Sequence, residues 1–347
     1  MNDTQRTQVL PRRARFVALA AGTVVFLASC GTGGASPSSG GTTEPGATTA
    51  PSGGATGALS GSVTIDGSST VYLITAAVAE DFGKANPGVK PSVALSGTGG
   101  GFKKFCAGET DANDASRPIK TEDTPEAKSE ATLCAEAGIE PVELKVAYDG
   151  LSVVVNPQNT WVDCLTVAEL KAIFGPTATA DTTWADIRGG WPADAIKTYQ
   201  PGVDSGTFDY FTEEINGELD ASTQAGTFSE DDNQLVAGVA GDSNGIGYFG
   251  YAYYEANQNK LKVVPVDGGG GCVTPSPDTV RDSSYTPLSR PLFVYPSKQS
   301  LARPEVAAFF AYYLANVATL APEVGYIEMP DADLQASLAA LAAATGN

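Results

Sequence analysis

The sequence predicts an α/β protein whose folded part divides into two lobes around a cleft. Three observations carry that reading. Strand-like and helix-like segments alternate from residue 60 onward, the pattern of a sheet covered by helices. The folded part, roughly 290 residues, exceeds one typical domain. Two strand-like runs, at 144–156 and 260–266, are placed to carry the chain out of one lobe and back. Lobe one is then 60–147 plus 267–347, lobe two is 148–266, and a ligand belongs between them.

The elements follow in order. "GSVTIDGSST" (61–70) is a short strand running into a Ser/Gly loop, and "VYLITAAVAEDFGKANPG" (71–88) is a helix stopped at Asn86-Pro87-Gly88. "VKPSVALSGTGGG" (89–101) repeats the strand-then-loop pattern before a helical "FKKFCAGE" (102–109). "VELKVAYDGLSVVVNP" (142–157) is a long β-rich run. "TVAELKAIF" (166–174) opens on Thr166 with Glu169 three residues on, a capping box. "KTYQPGVDSGTFDYFTEEI" (197–215) is a third strand, loop and helix. "GIGYFGYAYYEANQ" (245–258) reads as an aromatic-rich helix, with strands at "KLKVVPV" (260–266) and "PLSRPLFVYP" (287–296). "PEVAAFFAYYLANVATLA" (304–321) closes the series as an amphipathic helix.

The amino terminus sets the compartment. Arg6, Arg12, Arg13 and Arg15 precede an apolar run, Phe16 to Leu27, too short to span a bilayer as a mature helix. Leu27-Ala28-Ser29-Cys30 resembles the bacterial lipobox, so residues 1–29 are read as a signal peptide and Cys30 as the lipidated first residue. From Gly31 to Leu59 the chain is nearly all Gly, Ser, Thr, Pro and Ala. Residues 30–59 are therefore a lipidated cysteine and a disordered tether, with a reach of about 30 Å. The expected location is the extracytoplasmic face of the cell membrane, held there by the lipid anchor only.

The formal charge of −19 falls to about −22 once residues 1–29, with four arginines and one aspartate, are removed. That balance excludes nucleic acid and an anionic membrane surface as partners. Beyond Cys30 four cysteines remain: Cys106, Cys134, Cys164 and Cys272. An even count outside the cytoplasm predicts two disulfides. Three pairings are open, and Cys106–Cys134 with Cys164–Cys272 is the expected one. With no histidine and no CxxC pair, neither a zinc site nor any other metal or cofactor is expected.

Three loops share one chemistry. "DGSSTV" (66–71), "SGTGGG" (96–101) and "DSGT" (204–207) each follow a strand and precede a helix. A helix start offers unpaired N–H groups and the positive end of the macrodipole, and so attracts oxyanions. Ser and Thr add hydroxyl donors, and Gly admits close approach. "NDASRPIK" (113–120) adds Arg117 in an extended segment before a proline, where a planar donor fork suits a tetrahedral oxyanion. Each feature also has a plain structural use, as a helix cap or a surface ion pair; their recurrence favours an anion site. Catalysis is not expected. Ser205 has no histidine to take its proton, no SxxK motif lies near it, Val203 breaks the GxSxG elbow, and the glycine run lacks a GK[ST] ending.

With these motifs in hand, the chain resembles the phosphate-binding proteins of high-affinity phosphate ABC transporters, which have the two-lobed class II periplasmic-binding-protein fold. The resemblance covers about residues 60–330. It rests on "DGSSTVY", "SGTGGGFKKFCAGETD", "ASRPIK", "AYDGLSVVVNP", "VDSGTFDYFTE", "GIGYFGYAYY" and "YTPLSRPLFVYP". It implies Thr70 as a ligand residue with Ser69 and Val71 beside it, Thr98 and Gly99 in the second loop, and Ser205, Gly206 and Thr207 from lobe two. Two departures matter. Arg117 follows Ala115-Ser116 where many members carry an aspartate, and Pro201 stands where many carry an arginine. The arginine has thus changed lobes, and Ser116 and Arg117 join the expected site. A carboxylate that accepts a hydrogen bond from protonated phosphate is still needed to reject sulfate; Asp149 is the first candidate and Asp204 the next. The implied protein is a lipoprotein, a monomer, that captures inorganic phosphate and delivers it to an ABC permease. Sulfate, molybdate or an organic phosphate is the alternative ligand, and a surface sensor or adhesin the alternative role.

Overall fold

The structure, a computed structural model, describes residues 58–203 and 205–346. The signal peptide, Cys30, the tether up to residue 57, and Asp204 lie outside the described residues. The chain opens with β1 (Gly61–Gly67), α1 (Ser69–Ala85), β2 (Val89–Leu95), α2 (Gly97–Cys106), β3 (Ala112–Ala115) and α3 (Glu130–Glu136). The long β4 (Leu144–Val155) leads into β5 (Leu165–Thr166), α4 (Val167–Phe174), α5 (Trp184–Ile187) and β6 (Lys197–Pro201). Then come α6 (Gly206–Phe211), a π-helical turn (Thr212–Asn216), β7 (Thr227–Ser229), α7 (Asp232–Gly241), β8 (Gly245–Gly250) and α8 (Tyr251–Ala256). The last part holds β9 (Lys262–Val263), β10 (Val266–Asp267), β11 (Cys272–Val273), α9 (Pro277–Arg281), β12 (Ser289–Pro296), α10 (Lys298–Leu301), α11 (Pro304–Glu323) and α12 (Asp331–Thr345).

One mixed sheet runs β2-β1-β3-β12-β4-β8-β6-β7, with β9 on the end of β4, and a small sheet runs β11-β10-β5. Strand β4 joins its two parts. Residues 144–150 pair antiparallel with β12, and residues 151–155 pair antiparallel with β8. Such a strand is buried on both faces, which is why it reads as a near-continuous apolar run. Strand β10 pairs with β5 and β11, and Cys272 is bonded to Cys164, so these links extend to Val273 before β12 rejoins β3 and β4. The second disulfide joins Cys106 and Cys134, so both bridges follow the expected pairing.

Local chemistry accounts for most elements. Thr166 Oγ1 accepts from Glu169 N at 3.2 Å while Glu169 Oε2 accepts from Thr166 N at 2.9 Å, completing the capping box of α4. Helix α11 buries Val306, Phe309, Phe310, Tyr313, Leu314 and Val317, an i, i+3, i+4, i+7 stripe, against α1 through the Phe82–Phe309 ring contact at 5.3 Å. Three expectations change. "KLKVVPV" is not one strand but two short ones in different sheets, β9 on β4 and β10 on β5, because the chain passes from one sheet to the other at Val264-Pro265 between them. "GIGYFGYAYYEANQ" is not one helix, because Gly245–Gly250 is β8, wedged between β4 and β6, and only Tyr251–Ala256 is helical. Three glycines in six residues weaken a helix, whereas a bare Gly247 lets the Tyr199 carbonyl approach, 2.8 Å from where a Cβ would sit. The glycine-rich 97–101 is likewise not a loop but the first half of α2. Among the described residues no helix is long and apolar enough to cross a membrane.

Candidate functional site

Three helix starts are gathered here. Ser68, Ser96 and Ser205 are the residues before α1, α2 and α6. A Cβ built on Gly206 would lie 2.8 Å from Ser69 Oγ, 2.8 Å from Thr70 Oγ1 and 3.0 Å from Thr70 N. The first residues of α1 and α6 are therefore in direct contact. Helix α2 sits equally tight on the end of β1, since a Cβ on Gly101 would meet Gly67 Cα at 2.6 Å. Ser116 N donates to Thr98 Oγ1 at 3.1 Å, and the two hydroxyls are 3.1 Å apart.

A cavity of about 490 Å³ opens beside the contact of α1 with α6. Ser69, Thr70, Thr98, Gly99, Ser116, Arg117 and Gly206 line it. Ser205, Thr207 and Asp149 line a second cavity, of about 370 Å³, which shares Ser69 and Gly206 with the first. Val71 lines neither; its side chain is fully buried in the core, so only its backbone is available to a ligand. Ser205 Oγ accepts from Thr207 N at 3.2 Å and caps its own helix. The serine is occupied as a cap, and the chain has no histidine to take its proton. Among the described residues no cluster of three or more acidic, cysteine or histidine side chains could hold a metal ion.

The two arginines in the first cavity differ in how freely they face it. Arg117 Nη1 and Nη2 donate to Glu130 Oε2 and Oε1 at 2.9 and 2.7 Å, and Nη1 also donates to the Pro118 carbonyl at 3.0 Å. The Glu130 carboxylate holds the guanidinium charged and takes up donors on both Nη1 and Nη2. Arg290, on β12, was not singled out from the sequence, yet it lies at the centre. Its Nε and Nη2 each donate to Asp149 Oδ2 at 3.2 Å, Nη2 donates to Thr70 Oγ1 at 2.9 Å, and its guanidinium carbon stands 3.5 Å from the Tyr210 ring centroid. A signal was present. Ser289-Arg290-Pro291 repeats Ser116-Arg117-Pro118, so the argument that selected Arg117 applies equally to Arg290.

The acids around the cavities are shifted mainly by burial. Burial raises Asp149, with Arg290 working against it; burial and then Asp220 raise Asp209, which accepts from Ser69 Oγ at 3.5 Å; burial and then Glu213 raise Glu214. Asp232, at the start of α7, is pushed up to about 6 by burial and then by Asp231 and Glu230. Burial also acts upward on Asp66, but hydrogen bonds from Lys104 and Ser96 outweigh it and hold that carboxyl below its ordinary range. Asp114, on β3 behind the first two helix starts, is fully buried and raised well above it; among the described residues only Thr75 Oγ1 donates to its carboxylate, at 2.9 Å.

Comparison with known proteins follows the same lines. A family model described as a PBP superfamily domain matches residues 43–317. The chain is 48% identical over 272 residues to Protein SphX of Synechocystis, covering 78% of this chain and 79% of that one. It is 40% identical over 277 residues to the phosphate-binding protein PstS of Staphylococcus saprophyticus, covering 79% and 82%. A crystal structure of a possible phosphate binding protein from Planctomyces limnophilus is similar with a TM-score of 0.77 at 47% identity, covering 82% of this chain and 99% of that one.

Proposed function

The chain belongs to the PBP superfamily, in the family that includes the SphX and PstS proteins, and from that membership we propose that it is the phosphate-capturing subunit of an ABC importer. The observation that carries the proposal is the meeting of the α1 and α6 starts beside α2, with Arg290 between them. Inorganic phosphate is held by backbone N–H groups of residues 69–71, 98–99 and 206, by hydroxyls of Ser69, Thr70, Thr98, Ser116 and Thr207, and by arginine; Ser205 N and Thr207 N are taken by the Gly202 carbonyl and Ser205 Oγ, so Ser205 acts as the cap that positions Gly206. Many neutral donors and few charges suit a chain of net charge −19, because local dipoles rather than total charge supply the attraction. Arg290 joins Arg117 as a ligand residue.

Lobe one contains β1 to α3, the first half of β4, and β12 to α12; lobe two contains the rest of β4 to α9, so it runs past the expected end at 266 and the return crossing moves from 260–266 to the segment before β12. Closure about β4 and β12 brings Gly206 onto Thr70 and encloses the anion, so ligand shifts the open–closed population. Cys30 carries the lipid that holds the protein on the extracytoplasmic face, and the closed monomer delivers phosphate to the permease. Asp149 accepts a hydrogen bond from protonated phosphate, with Asp209 as the second acceptor. Isothermal titration of the soluble chain with phosphate, sulfate and molybdate tests the ligand. Phosphate is expected to bind most tightly, and equal or tighter sulfate binding refutes the proposal. Asp149→Asn and Asp209→Asn test the acceptor; if neither changes the preference for phosphate over sulfate, that assignment is wrong.

A further inference from the structure

We propose that Tyr210, on α6, is a positioning residue that fixes the plane of Arg290 and so orients the donors that meet the anion; this rests on the phosphate-binding reading above. Four contacts define the geometry. The Arg290 guanidinium lies over the Tyr210 ring at 3.5 Å, donates to Thr70 at 2.9 Å, and makes two hydrogen bonds of 3.2 Å to one oxygen of Asp149. The Tyr210 hydroxyl donates to the Pro287 carbonyl at 2.6 Å, three residues before Arg290 on the segment that enters β12. All four side chains are nearly enclosed; Arg290 is 14% exposed.

The consequences follow from hydrogen-bond direction. A guanidinium only donates, so Thr70 Oγ1 must accept from it, and the threonine proton is free to point elsewhere as a donor. Stacking on the ring holds the guanidinium flat, with its N–H groups in one plane. Asp149 occupies Nε and one Nη2 proton, Thr70 the other, and the Nη1 edge has no hydrogen-bond partner among the described residues. Arg290 and Tyr210 both line the cavity of about 490 Å³. The ring stands on the same short helix as Gly206 and Thr207, while Phe208 and Phe211 on that helix are buried, Phe211 stacked on Tyr248 at 3.7 Å. Tyr210 therefore ties the anion-binding start of α6 to the arginine of β12. Burial raises the phenol strongly, so it remains a donor to Pro287 throughout the physiological range.

The test is a double-mutant cycle in phosphate affinity, read by isothermal titration, with thermal melts for each variant. Tyr210→Leu removes the ring and is expected to weaken binding about tenfold. Tyr210→Phe keeps the ring but not the hydroxyl; it is expected to lower the melting temperature while holding affinity within about threefold, since only the Pro287 hydrogen bond is lost. In an Arg290→Gln background Tyr210→Leu is expected to cost no further affinity, because there is no guanidinium left to orient. If Arg290→Gln gives no measurable heat, Arg290→Lys serves as the background, where lysine lacks the planar fork. Additive losses, or a Phe variant as weak as the Leu variant, overturn the role of the ring. Wild-type protein that binds no phosphate overturns the functional reading itself, and the inference with it.

Discussion

The contact between the α1 and α6 starts makes Gly206→Ala a sensitive perturbation. Alanine keeps the backbone N–H at this position and suits a helix better than glycine, so the ligand-free protein is expected to keep or slightly raise its melting temperature. The new methyl, however, would sit 2.8 Å from Ser69 Oγ and Thr70 Oγ1 and 3.0 Å from Thr70 N, against an ordinary contact of about 3.5 Å. Ser69 Oγ can rotate away, but Thr70 N is backbone and cannot, so the helix starts must part by roughly half an ångström to reach that contact. Forced overpacking of this kind costs about 1–3 kcal/mol. Only the form in which the two starts touch bears that cost, so phosphate affinity is expected to fall roughly 5- to 150-fold. Titration calorimetry reads the affinity, and a thermal melt without ligand reads the free protein. Unchanged affinity refutes the idea that these starts meet in the bound form. A lower melting temperature without ligand refutes the assignment of the contact to closure.

Three further outcomes are expected. Arg117→Ala removes a charged donor from the cavity but not from the core; phosphate affinity should fall about tenfold or more with the fold retained, and equal affinity in titration removes Arg117 from the site. Asp114→Asn tests the buried acid: a carboxyl raised by folding contributes fully below its unfolded value near 4 and loses that contribution as pH rises through the folded value. The asparagine variant should therefore melt higher than wild type at pH 8 and no higher at pH 4, and an equal difference at both pH values contradicts the buried-acid account. Replacing Cys164 and Cys272 by alanine opens a link between residues 108 apart and should cost about 2–5 kcal/mol in denaturant titration. Replacing Cys106 and Cys134, only 28 apart, should cost less.

Particular residues show how far the sequence reads into the site. Ser69, Thr70, Thr98 and Ser205 are legible because caps and helix starts are local; the Ser, Thr or Gly that satisfies an N–H group stands within a few residues of it. Val71 is legible only as a backbone position, since its side chain faces the core. Arg117 stands out for its place in an extended segment, but the sequence does not reveal Glu130 across its donor fork, thirteen residues on. Arg290 stands in the same Ser-Arg-Pro setting, and its partners Thr70, Asp149 and Tyr210 are 220, 141 and 80 residues away in the chain. The same limit explains β8, where helix-like aromatics take a strand because the open places beside β4 and β6 require one.

By itself the sequence determined the alternation of strands and helices, the capping box at Thr166, the three Ser/Thr/Gly-rich helix starts, and the absence of any histidine to make Ser205 a nucleophile. These are properties of neighbouring residues, and short-range geometry settles them. Only the tertiary structure decided that the α1 and α6 starts press on each other at Gly206, that Arg117 is turned to Glu130, and that Arg290 lies between Asp149, Thr70 and Tyr210. Those facts depend on strand order and register across β3, β12 and β4, which bring residues far apart in the chain to within hydrogen-bonding distance.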